Sequence, residues 1–261
     1  MKRMARGEFY VGYLETAPPG IARFTRRIVL GLLVALVGIA AWIATAQGPL
    51  GPGSFEFGRS RLFEGEVRVS PYPHLVLVRP GRPTPQAVEW SAYHLVAFGK
   101  HGATELTAAL DGRRATIEGS LIFRGSDTMI EVAKVRTVPG SGAARPPALD
   151  FGTVTVQGEI VDSKCYFGAM KPGDGKSHRA CASLCIRGGI PPVLVVPVRH
   201  GGALPILLVD PERRAVNDRV LDRVAEPVEI TGRLLREGDT WLLAADPAAY
   251  RRPAASERTP R

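Results

Sequence analysis

The stretch VQGEIVDS at 156–163 repeats FEGEVRVS at 63–70 once Gly158 is set on Gly65. A second match lies further along each copy: ATIEGSLIFRGSDTMIEVA from Ala115 against VEITGRLLREGDTWLLAA from Val228, with Gly119 on Gly232. An internal repeat decides the architecture, because each copy then has to be one supersecondary unit. In both later segments β-branched and large apolar residues flank a Gly/Asp turn, Gly125-Ser126-Asp127 in one and Gly238-Asp239 in the other, which is the pattern of a β-hairpin. Short helical patterns precede both hairpins, at 104–110 and 217–224. Three strands, a short helix and a hairpin resemble the OB-fold, a five-stranded barrel that hosts many unrelated activities. The expected fold is therefore mainly β, with two tandem OB-like small β-barrels. The first covers 55–138 and the second 151–246, joined by PGSGAARPPALD at 139–150, a linker whose Pro, Gly and Ala content builds no core.

Upstream of the repeats, IVLGLLVALVGIAAWIATA at 28–46 carries no charge and as a helix spans about 28 Å, close to the hydrocarbon thickness of a bilayer. This predicts one transmembrane anchor. Lys2, Arg3, Arg6, Arg23, Arg26 and Arg27 precede it, so the positive-inside rule keeps 1–27 in the cytoplasm and exports the chain beyond the anchor. The expected location is the bacterial inner membrane, single-pass, with the N-terminus in and the bulk of the chain in the periplasm. Ala44-Thr45-Ala46 has the form of a signal-peptidase site, but the long leader and long apolar core favour a retained anchor, and Trp42 suits the outer interface. The full chain of 261 residues holds 29 Gly and 22 Pro, and outside the anchor it is turn-rich and strand-rich. The tail at 247–261, rich in Pro, Ala and Arg, is expected to be disordered.

The two copies differ in length. Gly65 to Gly119 is 54 residues and Gly158 to Gly232 is 74, so the second copy has gained about twenty. All three cysteines of the chain fall in or beside that insertion, at 162–192. Ser177 is a candidate N-cap for a helix over 178–187, with Gly188 as its stop and Pro191 and Pro192 barring resumption. At about 100° per residue His178, Cys181 and Cys185 share one face of that helix. Cys165, after the first strand, completes four ligands if the Gly-rich loop folds back.

Three thiolates and an imidazole suit a zinc site, and Cys-x-x-x-Cys also occurs in copper carriers, so a Zn or Cu ion at Cys165, His178, Cys181 and Cys185 is the leading reading. Asp162 is a candidate to accept a hydrogen bond from His178 and fix its tautomer. Met170 offers a thioether to Cu(I), although a single loop Met more often packs. A competing reading is thiol/disulfide redox chemistry with Cys165, Cys181 and Cys185, because a thiol near a helix N-terminus beside Arg179 is activated. The third is a structural disulfide that staples the insertion to the barrel.

The motif DSKCYFGAMKPGDGKSHRACASLCIRGGIPP resembles the signature of a group of uncharacterised bacterial membrane-anchored exported proteins, D-S-x-C…H-x-x-C-A-x-x-C on an OB-like β domain. The likeness covers mainly 156–192. It implies a shared site and compartment, and supplies no reaction.

Other features carry less. GDGKS at 173–177 looks like the end of a P-loop, but Met170 stands where that pattern needs Gly. His101 and His200 precede Gly at strand ends, as hairpin residues do, and His74 and His94 read as packed side chains. No Ser/His/Asp grouping or facing carboxylate pair emerges. The net charge of +9 is assigned to the anchor flank and a solvated surface. The expected partners are accordingly the membrane and a membrane protein complex, with nucleic acid excluded. The expected function is a non-catalytic metal-binding accessory or assembly module.

Overall fold

A computed structural model describes residues 17–46, 52–78, 90–141, 148–198 and 201–253. His200, most of the 1–27 segment and the 254–261 end of the tail lie outside the described residues. The elements are α1 (Pro19–Ala46), β1 (Ser54–Phe55), β2 (Arg61–Arg68), β3 (His74–Val78), β4 (Trp90–Val96), α2 (Thr104–Thr107), β5 (Arg113–Arg124) and β6 (Asp127–Ser141). The second copy supplies β7 (Leu149–Asp162), α3 (Arg179–Arg187), β8 (Pro192–Pro197), β9 (Ala203–Val209), β10 (Pro227–Glu237) and β11 (Thr240–Ala244).

The helix α1 is a unit of its own. It is 28 residues long, longer than the 28–46 run, and it is long and apolar enough to cross a membrane. Its first turns hold Arg23, Arg26 and Arg27, and its second residue is Gly20 after Pro19, a residue suited to an N-terminal helical position because its missing N–H would be unpaired there anyway.

Each β copy closes into a ring of the same topology. In the first, β5 pairs with β2, β2 with β3, β3 with β4, β4 runs parallel to β6, and β6 returns to β5; β1 adds to the outer edge of β5. In the second, the order β10-β11-β9-β8-β7 is a closed barrel, with β11 parallel to β9. Three antiparallel strands, a short helical crossover and a hairpin whose last strand lies parallel to the third make the OB-like arrangement that the repeat predicts. The alignment holds residue by residue: Gly65 pairs with Ala115, and Gly158 with Val228. Both glycines are required by close approach rather than by turn geometry. A Cβ on Gly65 would stand 2.3 Å from the Val76 carbonyl oxygen, and one on Gly158 2.5 Å from that of Val195.

The strands run into the proposed linker from both sides, β6 to Ser141 and β7 from Leu149. The tail requires a larger correction. Pro247–Ala249 forms a 3₁₀ turn capped by Asp246, Tyr250 is buried, and Arg251 exchanges backbone hydrogen bonds with Glu229. Composition pointed to disorder over 247–261, but one large aromatic ring packed on the second barrel orders the part up to Pro253.

Each barrel has its own interior: Val67, Leu75, Leu95, Ile117 and Ile130 in the first, Ile160, Leu194, Leu208, Val228 and Ile230 in the second. A third cluster joins them. Tyr72, Val96, Ile122 and Met129 of the first copy pack with Val161, Val193, Leu207 and Leu242 of the second, together with Cys165, Tyr166, Phe167 and Cys185 of the insertion. The inserted segment is therefore core material between the barrels.

Candidate metal centre

The insertion occupies the connection between the first and second strands of the second barrel. β7 ends at Asp162, which is fully buried, and the chain turns at once into a short helical segment, Cys165–Ala169. Asp162 governs this turn: its Oδ1 accepts from the Cys165 backbone N–H at 2.8 Å. The turn is held from the first barrel as well, where Arg124 Nε donates to the Tyr166 carbonyl at 2.7 Å and its guanidinium lies 3.9 Å from the Tyr166 ring centre.

The returning helix differs in detail from the sequence expectation. Lys176–His178 is a 3₁₀ turn and the α-helix begins at Arg179, with no side-chain cap from Ser177. Gly175, at φ +79°, starts the turn, and its carbonyl accepts from His178 N–H at 2.9 Å. The C-terminal stop is a Schellman motif in which Gly189, not Gly188, takes the left-handed conformation, at φ +95°. Gly189 N–H donates to Ile186 O and Ile190 N–H to Cys185 O.

Folding back of the loop brings Cys165 to the helix. Its Sγ lies 4.0 Å from Cys181 Sγ, and the donor atoms of Cys165, His178 and Cys181 all lie within 4.8 Å of one another. Asp162, Cys165 and Cys185 form a second such group, so Cys165 belongs to both. The four expected ligands thus divide into two overlapping triads, because the change from 3₁₀ to α geometry turns His178 away from the line of Cys185. Cys165, Cys185 and His178 are buried and Cys181 is half-buried; all three thiols are free. Cys, His and Asp groups are placed to hold a metal ion.

His178 Nε2 and Asp162 Oδ2 lie 3.0 Å apart, a pairing of the kind in which a carboxylate orients a metal-binding imidazole. The hydrogen bond between Cys165 and Cys185 holds Cys185 below the ordinary thiol range, aided by Lys100, and raises Cys165, with burial and the Asp162 carboxylate adding to the rise. Met170 is exposed in the loop.

Several residues of the site come from the first barrel. Lys100 Nζ lies 2.7 Å from Cys181 Sγ and 3.7 Å from Cys185 Sγ, and that hydrogen bond to Cys181 raises the Lys100 pKa. Lys164, next to Cys165 in sequence and buried, pairs with Glu131 and donates to the carbonyls of Ala97 and Gly99 at 2.9 and 2.7 Å, fixing the loop that carries Lys100. A facing carboxylate pair is also present, contrary to the sequence reading. Asp127 and Asp239, at equivalent hairpins of the two copies, line one pocket between the barrels with His94. Burial, and then the Asp239 charge, push Asp127 up to about 7, while burial takes His94 down to about 3. No local signal marks this pairing, which exists only after the barrels dock.

No protein-family model matches the chain, and no curated protein matches it. Among solved structures it is similar to the single-stranded DNA binding protein from Thermus aquaticus, at 14% identity over 81% of this chain and 90% of that one, with a TM-score of 0.23. A deletion mutant of that protein gives 12% identity, 80% and 91% coverage and the same score. So low a score assigns nothing to this chain. The partner expectation is nevertheless corrected: the membrane, a membrane protein complex and no nucleic acid does not stand as a partner set when the similar structures are DNA-binding proteins. The exclusion rested on the expected export and on assigning the basic charge to the anchor flank and a solvated surface.

Proposed function

We propose that this chain is a non-catalytic metal-binding accessory module. Cys165, His178 and Cys181 hold a Zn or Cu ion, and Cys185 supplies the fourth donor. One observation carries the reading: two thiol sulfurs 4.0 Å apart with an imidazole nitrogen in the same group. Tetrahedral ligands bound at about 2.3 Å place two sulfurs about 3.8 Å apart. The bound ion would supply a closed structural cross-link between strand end and helix. Asp162 orients the imidazole, and Lys100 offsets the negative charge that thiolate ligands bring. The signature at 156–192 marks, on this reading, a group of proteins sharing this centre. The basic residues before and within α1 support an N-in orientation with both barrels on the outer side, where protease added to spheroplasts would reach them.

Elemental analysis of the full-length chain in detergent tests the centre. One equivalent of zinc or copper is expected, with at least tenfold weaker retention in Cys165→Ser, which removes a donor common to both triads. A chain purified without stoichiometric metal, and refusing both ions on titration, ends the proposal. A second reading, thiol/disulfide exchange, is favoured by Lys100 beside Cys181. It gains if the metal-free chain passes two electrons and two protons reversibly to a partner disulfide, closing a bond between Cys165 and Cys181.

A further inference from the structure

We infer that Lys100 and Cys181 form a covalent modification site, in which oxidation places one oxygen atom between the lysine Nζ and the cysteine Sγ. The two atoms stand 2.7 Å apart. Even an N–H···O hydrogen bond is usually longer, at about 2.9 Å, and sulfur is the larger acceptor. The hydrogen bond already holds nitrogen and sulfur at a separation that a single oxygen bonded to both could span.

The surroundings hold the pair together from both sides. Lys164 fixes the Lys100 loop through the carbonyls of Ala97 and Gly99, and Gly102 N–H, two residues on, donates to the Gly188 carbonyl at 2.8 Å. That last bond ties the same loop to the end of the helix bearing Cys181. Cys181 is also the thiol an oxidant can reach, since Cys165 and Cys185 are buried.

The chemistry balances with hydrogen peroxide as the oxidant. The Cys181 thiolate attacks one peroxide oxygen and breaks the O–O bond, giving a sulfenic acid and hydroxide, and the hydroxide takes a proton from the Lys100 ammonium to form water. A second peroxide transfers an oxygen to the freed amine, giving a hydroxylamine and a second water. The hydroxylamine oxygen then bonds to the sulfenic sulfur, whose S–O bond breaks to expel a third water, leaving N–O–S. Two peroxides are reduced while one sulfur and one nitrogen are oxidised. The bridge would join the first barrel to the insertion of the second. It would also withdraw Cys181 from the donor set, a consequence that rests on the metal reading, although the modification itself does not.

Peptide mapping by mass spectrometry tests this on the full-length chain in detergent, stripped with a chelator and treated with hydrogen peroxide. The expected product joins the Lys100 and Cys181 peptides with a mass greater by one oxygen and smaller by two hydrogens than their sum, is cleaved by a thiol reductant, and is lost in Lys100→Arg. A wild-type map showing Lys100 unmodified, with Cys181 in a disulfide or as sulfinic acid, overturns the proposal without recourse to any variant. Metal analysis of the untreated sample separates the two ideas: a bridge without bound metal removes the metal centre alone, and bound metal without a bridge removes this site alone.

Discussion

Asp127 carries a charge problem created by docking. Burial and the carboxylate of Asp239 raise it from an ordinary 3.8 to about 7, with Arg124 opposing. Because the folded value lies above the unfolded one, the protonated side chain favours the folded state fully below about pH 4, and that advantage is lost as pH rises to about 7. Asn in its place cannot ionise. In urea titrations Asp127→Asn is expected to match the wild type near pH 4 and to exceed it by about 2 kcal/mol above pH 7, after allowance for the partial exposure of the carboxylate. Parallel stability curves for the two proteins across that range would show that the pair carries no such penalty.

At the scale of the element, the helix α3 is placed by its ends. Asp162 and His178 fix its start, and its stop is pressed against the first barrel: a Cβ on Gly188 would fall 1.9 Å from the Lys100 carbonyl oxygen. Gly188→Ala therefore has to push the Lys100 loop away. The expected cost is about 2–4 kcal/mol in equilibrium unfolding, because neither backbone can yield without losing the Gly102–Gly188 hydrogen bond. A near-neutral Gly188→Ala would mean that the seam is far softer than its spacing implies. This element also shows how much the sequence reveals. Its existence, its cysteines and its stop were legible, since periodicity and Gly/Pro punctuation are local. So was the barrel topology, since two glycine registers recur at matched positions. The split of the ligands into two triads was not, because the initial 3₁₀ turn changes the angular step by which His178 is placed. Lys100 was invisible for a different reason: it lies 81 residues from Cys181, and a Gly-Lys-His turn says nothing about what the next domain brings to it.

Considered as a whole, the two barrels share one buried layer, so their stabilities are not separable. Tyr72 shows this at a single atom. Its hydroxyl donates to the Leu208 carbonyl at 2.9 Å and accepts from Val216 N–H at 3.0 Å, so a first-barrel side chain satisfies two backbone groups of the second. Burial raises its pKa well above the usual phenol value. Tyr72→Phe strands a buried N–H and is expected to lower the stability of the entire β portion by about 1–3 kcal/mol. Intrinsic fluorescence and circular dichroism should report one coincident transition in both proteins. Two resolved transitions, with only one moved by the substitution, would show that the barrels fold independently.

The shared ring topology and paired glycines describe a duplication, and the placement of Lys100 gives it a consequence. The thiols are encoded in one copy and the lysine that touches them in the other. Neither barrel alone has this contact, so the tandem arrangement supplies within one chain what two separate barrels would have to find by meeting.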